Sequence, residues 1–359
     1  VIPCLLWLLE RLARQHEVHV FALHQEPEPS RYELLGAAVH NIGQRWTRIR
    51  TLSAIFTEHR RGPFDVLHAF WAAPPGTLAA VAGQFIRRPV VLHIGGGEVV
   101  ALPEIEYGGL RTLRGRLGVR LALRAAARVT AASHAVLERV AALGVRADQL
   151  TLGVDLARWP SREPRARDRA RAARLAHVGS LNPVKDQRTL LRAAAIVAAR
   201  GVAFNLDIVG EDVSNGAIQS YATELGLGRC VIFHGFLPHE RLRPILEQAD
   251  LLLVSSRHEA GPVVVLEAAV AGVPTVGTAV GHVRDWAPEA AVAVPVADPD
   301  AMAREIVALL ADEPRRLRVA AAAQARAVRE NADWTAERIL EMYQAVATPQ
   351  HRKELVVGG

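Results

Sequence analysis

Apolar runs of strand length alternate with stretches of helical periodicity through almost the whole chain, and this alternation decides the fold class before composition is considered. Residues 3–15 read as helix and 18–23 as strand. Segments 66–70 and 90–94 read as strands separated by the helical stretch 75–87. A long basic helix over 110–128 leads into a strand at 129–132 and a helix from Ser133, its expected N-cap, to Leu143. Strand–helix–strand alternation builds a parallel sheet covered by crossover helices.

The pattern breaks at 160–174, where two prolines, six arginines and two acids replace apolar periodicity. It then resumes with strands at 175–179, 205–210, 230–234, 250–255 and 274–277, and helices at 186–200, 215–226, 239–247 and 262–271. Helices over 299–312, 316–330 and 334–346 complete it. The expected division is an N-terminal domain over 1–158, a linker over 159–174 and a C-terminal domain over 175–330. A returning helix over 331–346 and a tail over 347–359 follow. A length of 359 residues suits two such domains. The halves share a pattern but not residues, so they are not a sequence repeat.

Only two cysteines, Cys4 and Cys230, exclude a disulfide scaffold and fit a reducing cytoplasm. No segment reads as a membrane span. The charge balance is 43 − 37 = +6, but the cations are 41 arginines and two lysines, Lys185 and Lys353. In so arginine-rich a background, a lysine is the more telling cation. The arginines are mostly interspersed with acids and no aromatic–basic module occurs, which argues against nucleic-acid binding. The chain opens at Val1 in what reads as a helix already under way, with an upstream strand expected before it and no signal-peptide pattern.

Ligands of open α/β sheets bind beyond the carboxyl ends of the strands, so the residues after each strand matter most. The strongest group is Ser255-Ser256-Arg257-His258-Glu259-Ala260-Gly261-Pro262, running into Val263, Val264 and on to Glu267. Gly261 permits a tight turn, and Pro262 suits the first helical position. Free amides at that helix start suit a phosphate, and a carboxylate beside a phosphate is tolerated where it grips sugar hydroxyls. From spacing alone, the same two glutamates also fit a helix-dipole acid and a solvated face. His93 closes an apolar strand before Ile94-Gly95-Gly96-Gly97-Glu98, either as a ligand-facing residue or as a strand-end histidine satisfied by its neighbours. Glu98 either binds an acceptor or begins a helix. No zinc spacing or Walker loop occurs, and no Asp-x-Asp pair is suited to a metal-bound diphosphate, so no metal is expected.

Together these segments resemble the retaining glycosyltransferases of family 4 (glycosyl transferases group 1). Glu259 and Glu267 form that family's E-x7-E pattern. Gly272-Val273-Pro274, Gly281 and Asp285 follow as its next turn does, and Val178-Gly179-Ser180-Leu181-Asn182-Pro183-Val184-Lys185-Asp186 is similar to its phosphate loop. Leu206–Gly210, Val231–Gly235, Asp65–His68, Val90–Gly97 and Gly153-Val154-Asp155 match further pieces, so the likeness covers about residues 1–346. It implies the α/β GT-B architecture, two Rossmann-like doubly wound domains facing a cleft, with the first strand lying upstream of Val1.

It also implies sugar transfer from a nucleotide diphosphate sugar to an acceptor hydroxyl with retained configuration. UDP, GDP and ADP donors stay open, and no cofactor is required. Catalytic roles fall to Glu259, His93 and Lys185. Donor binding falls to Glu267, Gly179, Ser180, Gly210, Phe236, Gly261, Pro262, Val263 and Val264, and acceptor binding to Gly95, Gly96, Gly97 and Glu98. Three positions depart from the family: Ser180 stands where an arginine is usual, Asp212 where a second glycine is, and Leu152 where the hinge has asparagine. The compensating cation is then Lys185 itself or another arginine, with Arg188 and Arg284 as candidates. A sugar-nucleotide epimerase or phosphorylase, and an inactive binder, remain alternatives. Arg116, Arg120, Arg124 and Arg128 repeat every four residues beside Leu113, Leu117 and Leu121, and no acid lies between Tyr107 and Leu137. This is either a solvated face or a peripheral contact with an anionic membrane, in a cytoplasmic protein that touches the inner membrane face.

Overall fold

The computed structural model describes residues 2–347, and the chain falls into two compact units that divide at Thr151/Leu152 and again at Asn331/Ala332. The expected tail from 348 onward lies outside the described residues.

The first unit opens with α1 (Pro3–Ala13), which buries Cys4, Trp7, Leu8, Arg11 and Leu12 along one face. Three strands follow: β1 (His19–Ala22), β2 (Ser30–Leu34) and β3 (Ala37–Asn41). β2 and β3 form an antiparallel hairpin around Leu35 and Gly36, both at positive φ (53° and 82°), while β1 pairs β3 in parallel. The sequence patterning gives no sign of this hairpin, because every residue of β2 is exposed and no apolar alternation marks it. Next come α2 (Thr47–Arg61), β4 (Leu67–Phe70), a π-helical turn at Ala72–Gly76, α3 (Thr77–Ile86) and β5 (Val90–Ile94). Then follow α4 (Leu113–Ala125), β6 (Arg128–Ala131), α5 (His134–Ala142) and β7 (Asp148–Gln149). β4-β5-β6-β7 is a four-stranded parallel sheet.

One sequence expectation fails here and another holds in position only. The basic helix stops at Ala125, and Arg128 lies on β6 opposite Val91, so only Arg116, Arg120 and Arg124 share the helix. Ser133 stands at the N-cap of α5, but its hydroxyl bonds no helix amide and is buried without a partner.

The second unit runs β8 (Ala173–Val178), α6 (Gln187–Ala199), β9 (Phe204–Val209), α7 (Ala217–Glu224), β10 (Val231–Gly235), α8 (His239–Gln248) and β11 (Leu251–Val254). It continues α9 (Val263–Val270), β12 (Thr275–Thr278), α10 (Gly281–Trp286), β13 (Val292–Val294), α11 (Pro299–Ala311) and α12 (Glu313–Arg329). All six strands are parallel in the order β10-β9-β8-β11-β12-β13. The chain therefore winds one way from β8 and then restarts on its other side at β11. That reversal is the switch point of a doubly wound sheet, the place where ligands of such sheets bind outside the carboxyl ends of the strands. Leu175, Leu190, Leu206, Leu253 and Val276 fill the core under it.

The segment expected to link the domains belongs to this second unit. Arg162 N donates to Val270 O and Arg167 N to Glu313, while the fully buried Arg316 donates to the carbonyls of Arg165 and Asp250. A guanidinium out of water needs such acceptors, so it fastens the strip 162–167 to α12 and to Asp250, the residue just before β11. After α12 the chain returns to the first unit as α13 (Ala332–Ala347), whose Ala336 and Ile339 pack with Leu8 and Leu12 of α1.

Candidate functional site

The loops after β8 and β11 hold the residues that the sequence singled out. After β8, Asn182 Oδ1 accepts the amides of Val184 and Lys185 at 3.0 Å, which turns the chain and starts the run into α6. Asp186 caps that helix at Thr189 and accepts Arg257 Nε at 3.0 Å. After β11, Ser255 Oγ donates to Lys185 O at 2.7 Å and Arg257 N to Val184 O at 2.7 Å. These bonds bind the two loops into one rigid rim at the switch point.

On that rim Lys185 Nζ donates to Glu259 Oε1 at 2.5 Å, and Ser256 Oγ donates to the same oxygen at 2.6 Å. The Lys185 and Glu259 side chains are 25% and 12% exposed, so the pair is sheltered but reachable. The aliphatic stem of Lys185 lies over Gly179, where any side chain would crowd it. Gly281, at φ 48°, sets the start of α10 against Glu259 and Pro262. Pro262 sits at the N-cap of α9 rather than inside the helix, so Val263 and Val264 head the first turn, with no side chain capping it.

Glu267, one turn inside α9, is almost fully buried and accepts His239 Nε2 at 2.6 Å. His239 opens α8 and lies against the buried Trp159, ring centroids 4.5 Å apart. Sequence reasoning missed His239. It follows β10 by four residues, and its only signal is that position at a helix start. Phe236, just beyond β10, is 75% exposed.

Other expected donor residues have internal partners. A Cβ at Gly210 would overlap the Gly179 carbonyl, so that glycine is required by the contact between the loops after β8 and β9. Ser180 O accepts Gln187 Nε2, whose nitrogen also meets His177 Nε2 at 3.2 Å. Burial drops the His177 pKa to about 4, so this imidazole is neutral. Asp212, the unexpected acid, accepts the Ser214 amide and hydroxyl, the Gly216 amide and Gln219, and these bonds hold its pKa near 2. It closes its own loop. Of the two fallback arginines, Arg188 stacks on the Tyr221 ring at 4.5 Å, and Arg284 is exposed on α10.

The first unit has its own strand-end group. His93 is buried on β5 and its Nδ1 meets Thr130 Oγ1 across the β5/β6 register at 2.9 Å. Burial takes its pKa down to about 4 and that of the neighbouring His68 to about 3. Glu98 is buried, and its Oε1 accepts the amides of Gly95 (2.9 Å) and Ala72 (3.1 Å), while its Oε2 has no partner. Burial raises its pKa against those bonds. The glycine run, expected to open toward an acceptor, is filled from within: a Cβ at Gly95 would overlap the Trp71 indole and one at Gly97 the Tyr107 hydroxyl. Gly96 alone takes a positive φ there, 99°. Trp71 itself is held at φ 74°, a region that bulky residues rarely enter.

Comparison with known proteins bears on the family and the fold. Residues 164–326 match the family Glycosyl transferases group 1, and residues 1–153 match the Glycosyl transferase 4-like domain. A D-inositol 3-phosphate glycosyltransferase of Thermomonospora curvata is 30% identical over 316 residues, spanning 79% of this chain and 72% of that protein. The corresponding Corynebacterium urealyticum protein is 30% identical over 216 residues, 55% of this chain and 51% of its own. A putative teichuronic acid biosynthesis glycosyltransferase of Bacillus subtilis, TuaC, is 29% identical over 229 residues, 61% of this chain and 54% of its own. The chain thus spans about half the length of the latter two. Among solved structures, Anabaena HepE in complex with UDP and glucose superposes with a TM-score of 0.74 at 19% identity, covering 96% of this chain and 95% of that one. The sucrose-phosphate synthase of Thermosynechococcus elongatus does so with a TM-score of 0.74 at 21% identity, covering 94% and 91%. At such identities the likeness concerns the fold.

Proposed function

The chain belongs to the glycosyl transferases group 1, the family-4-like glycosyltransferases of GT-B fold, and from that premise we propose that it moves a sugar from a nucleoside diphosphate sugar to an acceptor hydroxyl with retention of configuration. The observation that carries this reading is the Lys185–Glu259 pair at the switch point of the sheet, beside the uncapped first turn of α9.

In this reading Lys185 and the α9 amides take the diphosphate, Glu259 takes sugar hydroxyls, Glu267 takes ribose hydroxyls, and Phe236 meets the base. An ammonium and a helix N-terminus stabilise charge as it develops on the leaving phosphate. The acceptor hydroxyl attacks the face that the phosphate leaves, and the departing phosphate oxygen receives its proton. No carboxylate nucleophile takes part. His93 and the Glu98 turn are assigned to sugar and acceptor positioning in the first unit. HepE structures with UDP and UDP-glucose make the uridine donors the first to screen, and the relatives' names make D-inositol 3-phosphate the first acceptor.

Calorimetry with Lys185→Ala and Glu267→Ala tests the site. Both variants should weaken nucleotide binding, and unchanged affinity in both refutes the assignment. The anomeric configuration of the product, read by NMR, tests retention, and formation of product without acceptor would favour an epimerase.

A second surface carries a separate reading. On α4, Leu113, Leu117 and Leu121 are 80%, 71% and 44% exposed beside the exposed Arg116, Arg120 and Arg124, and no helix among the described residues is long and apolar enough to cross a membrane. We propose that this face rests on an anionic membrane. Co-sedimentation with phosphatidylglycerol vesicles, lost in Leu117→Glu and in high salt, is the expected result; equal recovery with zwitterionic vesicles refutes it.

A further inference from the structure

We propose that His19, His40 and Glu58 in the first unit form a binding site for a divalent d-block cation, zinc foremost. The three residues come from β1, β3 and α2, so no spacing in the sequence announces them. In the parallel β1/β3 register His19 faces Ala38 and Phe21 faces His40, which sets the two histidines two positions apart on one side of the sheet. Because α2 packs over β1, Glu58 reaches the same spot.

The distances suit the ion. His19 Nδ1 lies 3.0 Å from His40 Nε2 and 3.9 Å from Glu58 Oε2, and one ligand atom from each residue falls within 4.8 Å of the other two. A tetrahedral zinc with bonds of about 2.0–2.1 Å spaces its ligand atoms about 3.3 Å apart. Small side-chain rotations close that difference. The two imidazoles stand 12° apart with centroids 5.2 Å apart, so the facing nitrogens meet nearly end to end and share one proton in an N–H···N bond. A cation replaces that proton as the rings turn toward it.

The surroundings are those of a held site rather than a solvated patch. The His19 and Glu58 side chains are only 9% and 7% exposed, and Phe21 and Phe64 wall the rings. Burial lowers the His40 pKa, which keeps it in the neutral form that ligates. His19 Nε2 meets Glu17 Oε1 at 3.1 Å, the carboxylate contact that orients many metal-binding histidines. Arg61 and Arg31 hold the other oxygen of Glu58, at 2.7 and 3.5 Å, and leave Oε2 toward the imidazoles. The charges of Glu17 and Glu58 balance those of the two arginines. Two imidazoles with one carboxylate select zinc-like ions over magnesium or calcium, which take all-oxygen sets. The fourth position is left to water. The ion would tie α2 to the β1/β3 pair.

The test uses the tag-free full chain, stripped with chelator. Zinc is titrated by calorimetry, and cobalt(II) by visible absorption. The expected result is one ion per chain, with proton release and the intense bands of tetrahedral cobalt. His40→Ala and Glu58→Gln should abolish those bands. Glu17→Gln, an exposed position whose change leaves packing untouched, should weaken zinc about tenfold. Wild-type protein that takes up no stoichiometric ion, shows weak octahedral cobalt bands, or binds as well as His40→Ala overturns the proposal. Should a buried variant fail to fold by circular dichroism, the wild-type cobalt spectrum and Glu17→Gln decide.

Discussion

Replacing Glu259 by glutamine should change nucleotide binding and turnover in opposite directions. The carboxylate holds Lys185 at 2.5 Å, and the substitution keeps shape and hydrogen-bonding capacity while deleting one negative charge. A diphosphate bound at Lys185 and the start of α9 would stand roughly 6 Å from that charge, where two unit charges at an effective dielectric of about 20 interact by about 2.8 kcal/mol. Both side chains retain some water contact, so about half of that is a fairer value. The expectation is a nucleoside diphosphate bound about tenfold more tightly by Glu259→Gln than by the wild type, since about 1.4 kcal/mol is a factor of ten. Raising the salt should shrink the gain. On the proposed reading, turnover of the sugar nucleotide should fall by about 100-fold or more, because the carboxylate contact assigned to the sugar is lost. The assays are calorimetry with the bare diphosphate and initial rates with the sugar nucleotide. A variant that binds the diphosphate no better than wild type refutes the argument that Glu259 and phosphate compete for Lys185.

Three further outcomes follow from the geometry. Gly210→Ala pushes a methyl into the Gly179 carbonyl and should cost about 1–3 kcal/mol in urea unfolding, with donor affinity reduced because the Lys185 loop moves; unchanged stability refutes the contact. His239→Ala strands the buried Glu267 carboxylate and should raise the donor KM about tenfold with little change in kcat, while His239→Gln restores most of it; equal effects of the two would show that the hydrogen bond is irrelevant. His282 is buried with neither ring nitrogen partnered, and burial holds its pKa near 4 against 6.5 in an unfolded chain. The unfolded state therefore binds the extra proton between those values, and stability falls with falling pH across that window, by at most about 1.4 kcal/mol per pH unit for each such histidine. His282→Phe, which can keep the stacking on Trp286, should flatten the slope of unfolding free energy between pH 4 and 6.5, and an unchanged slope refutes it.

The second unit was legible because its central strands are buried on both faces and its outer ones alternate apolar with polar residues. Leu251–Val254 is an unbroken apolar run, and Phe204–Val209 alternates apolar and polar residues before closing on Ile208-Val209; both patterns have few readings in an alternating chain. The hairpin of β2 and β3 was not legible, since its first strand turns no side chain inward and only the Leu35-Gly36 turn marks it. Glu259 and Lys185 were readable as a pair only through a family pattern: 74 residues separate them, and the sheet order alone brings them together. The glycines have a structural cause that the sequence did not show. At Gly95, Gly97 and Gly210 the space of a side chain is taken by Trp71, Tyr107 and the Gly179 carbonyl. A missing side chain records that something comes close, and composition does not say whether it is a ligand or the protein itself.

The departures from the family pattern share a physical consequence. With Ser180 in place of an arginine, Arg188 stacked on Tyr221 and the Asp212 carboxylate spent on its own loop, Lys185 is the ammonium on the rim and Glu259 already holds it. On the proposed reading, an arriving bare diphosphate must take Lys185 from Glu259 and leaves that carboxylate without its charged partner. A sugar diphosphate takes Lys185 as well, but its hydroxyls then donate to Glu259 in exchange. The sugar is thus rewarded through a hydrogen bond that its absence would leave unmade, which is the situation that gives the largest discrimination. The wild type should favour the sugar nucleotide over the bare diphosphate, and Glu259→Gln should reverse or erase that preference. The same preference in both proteins would mean that the sugar is recognised elsewhere, and the role of Glu259 would have to be given up.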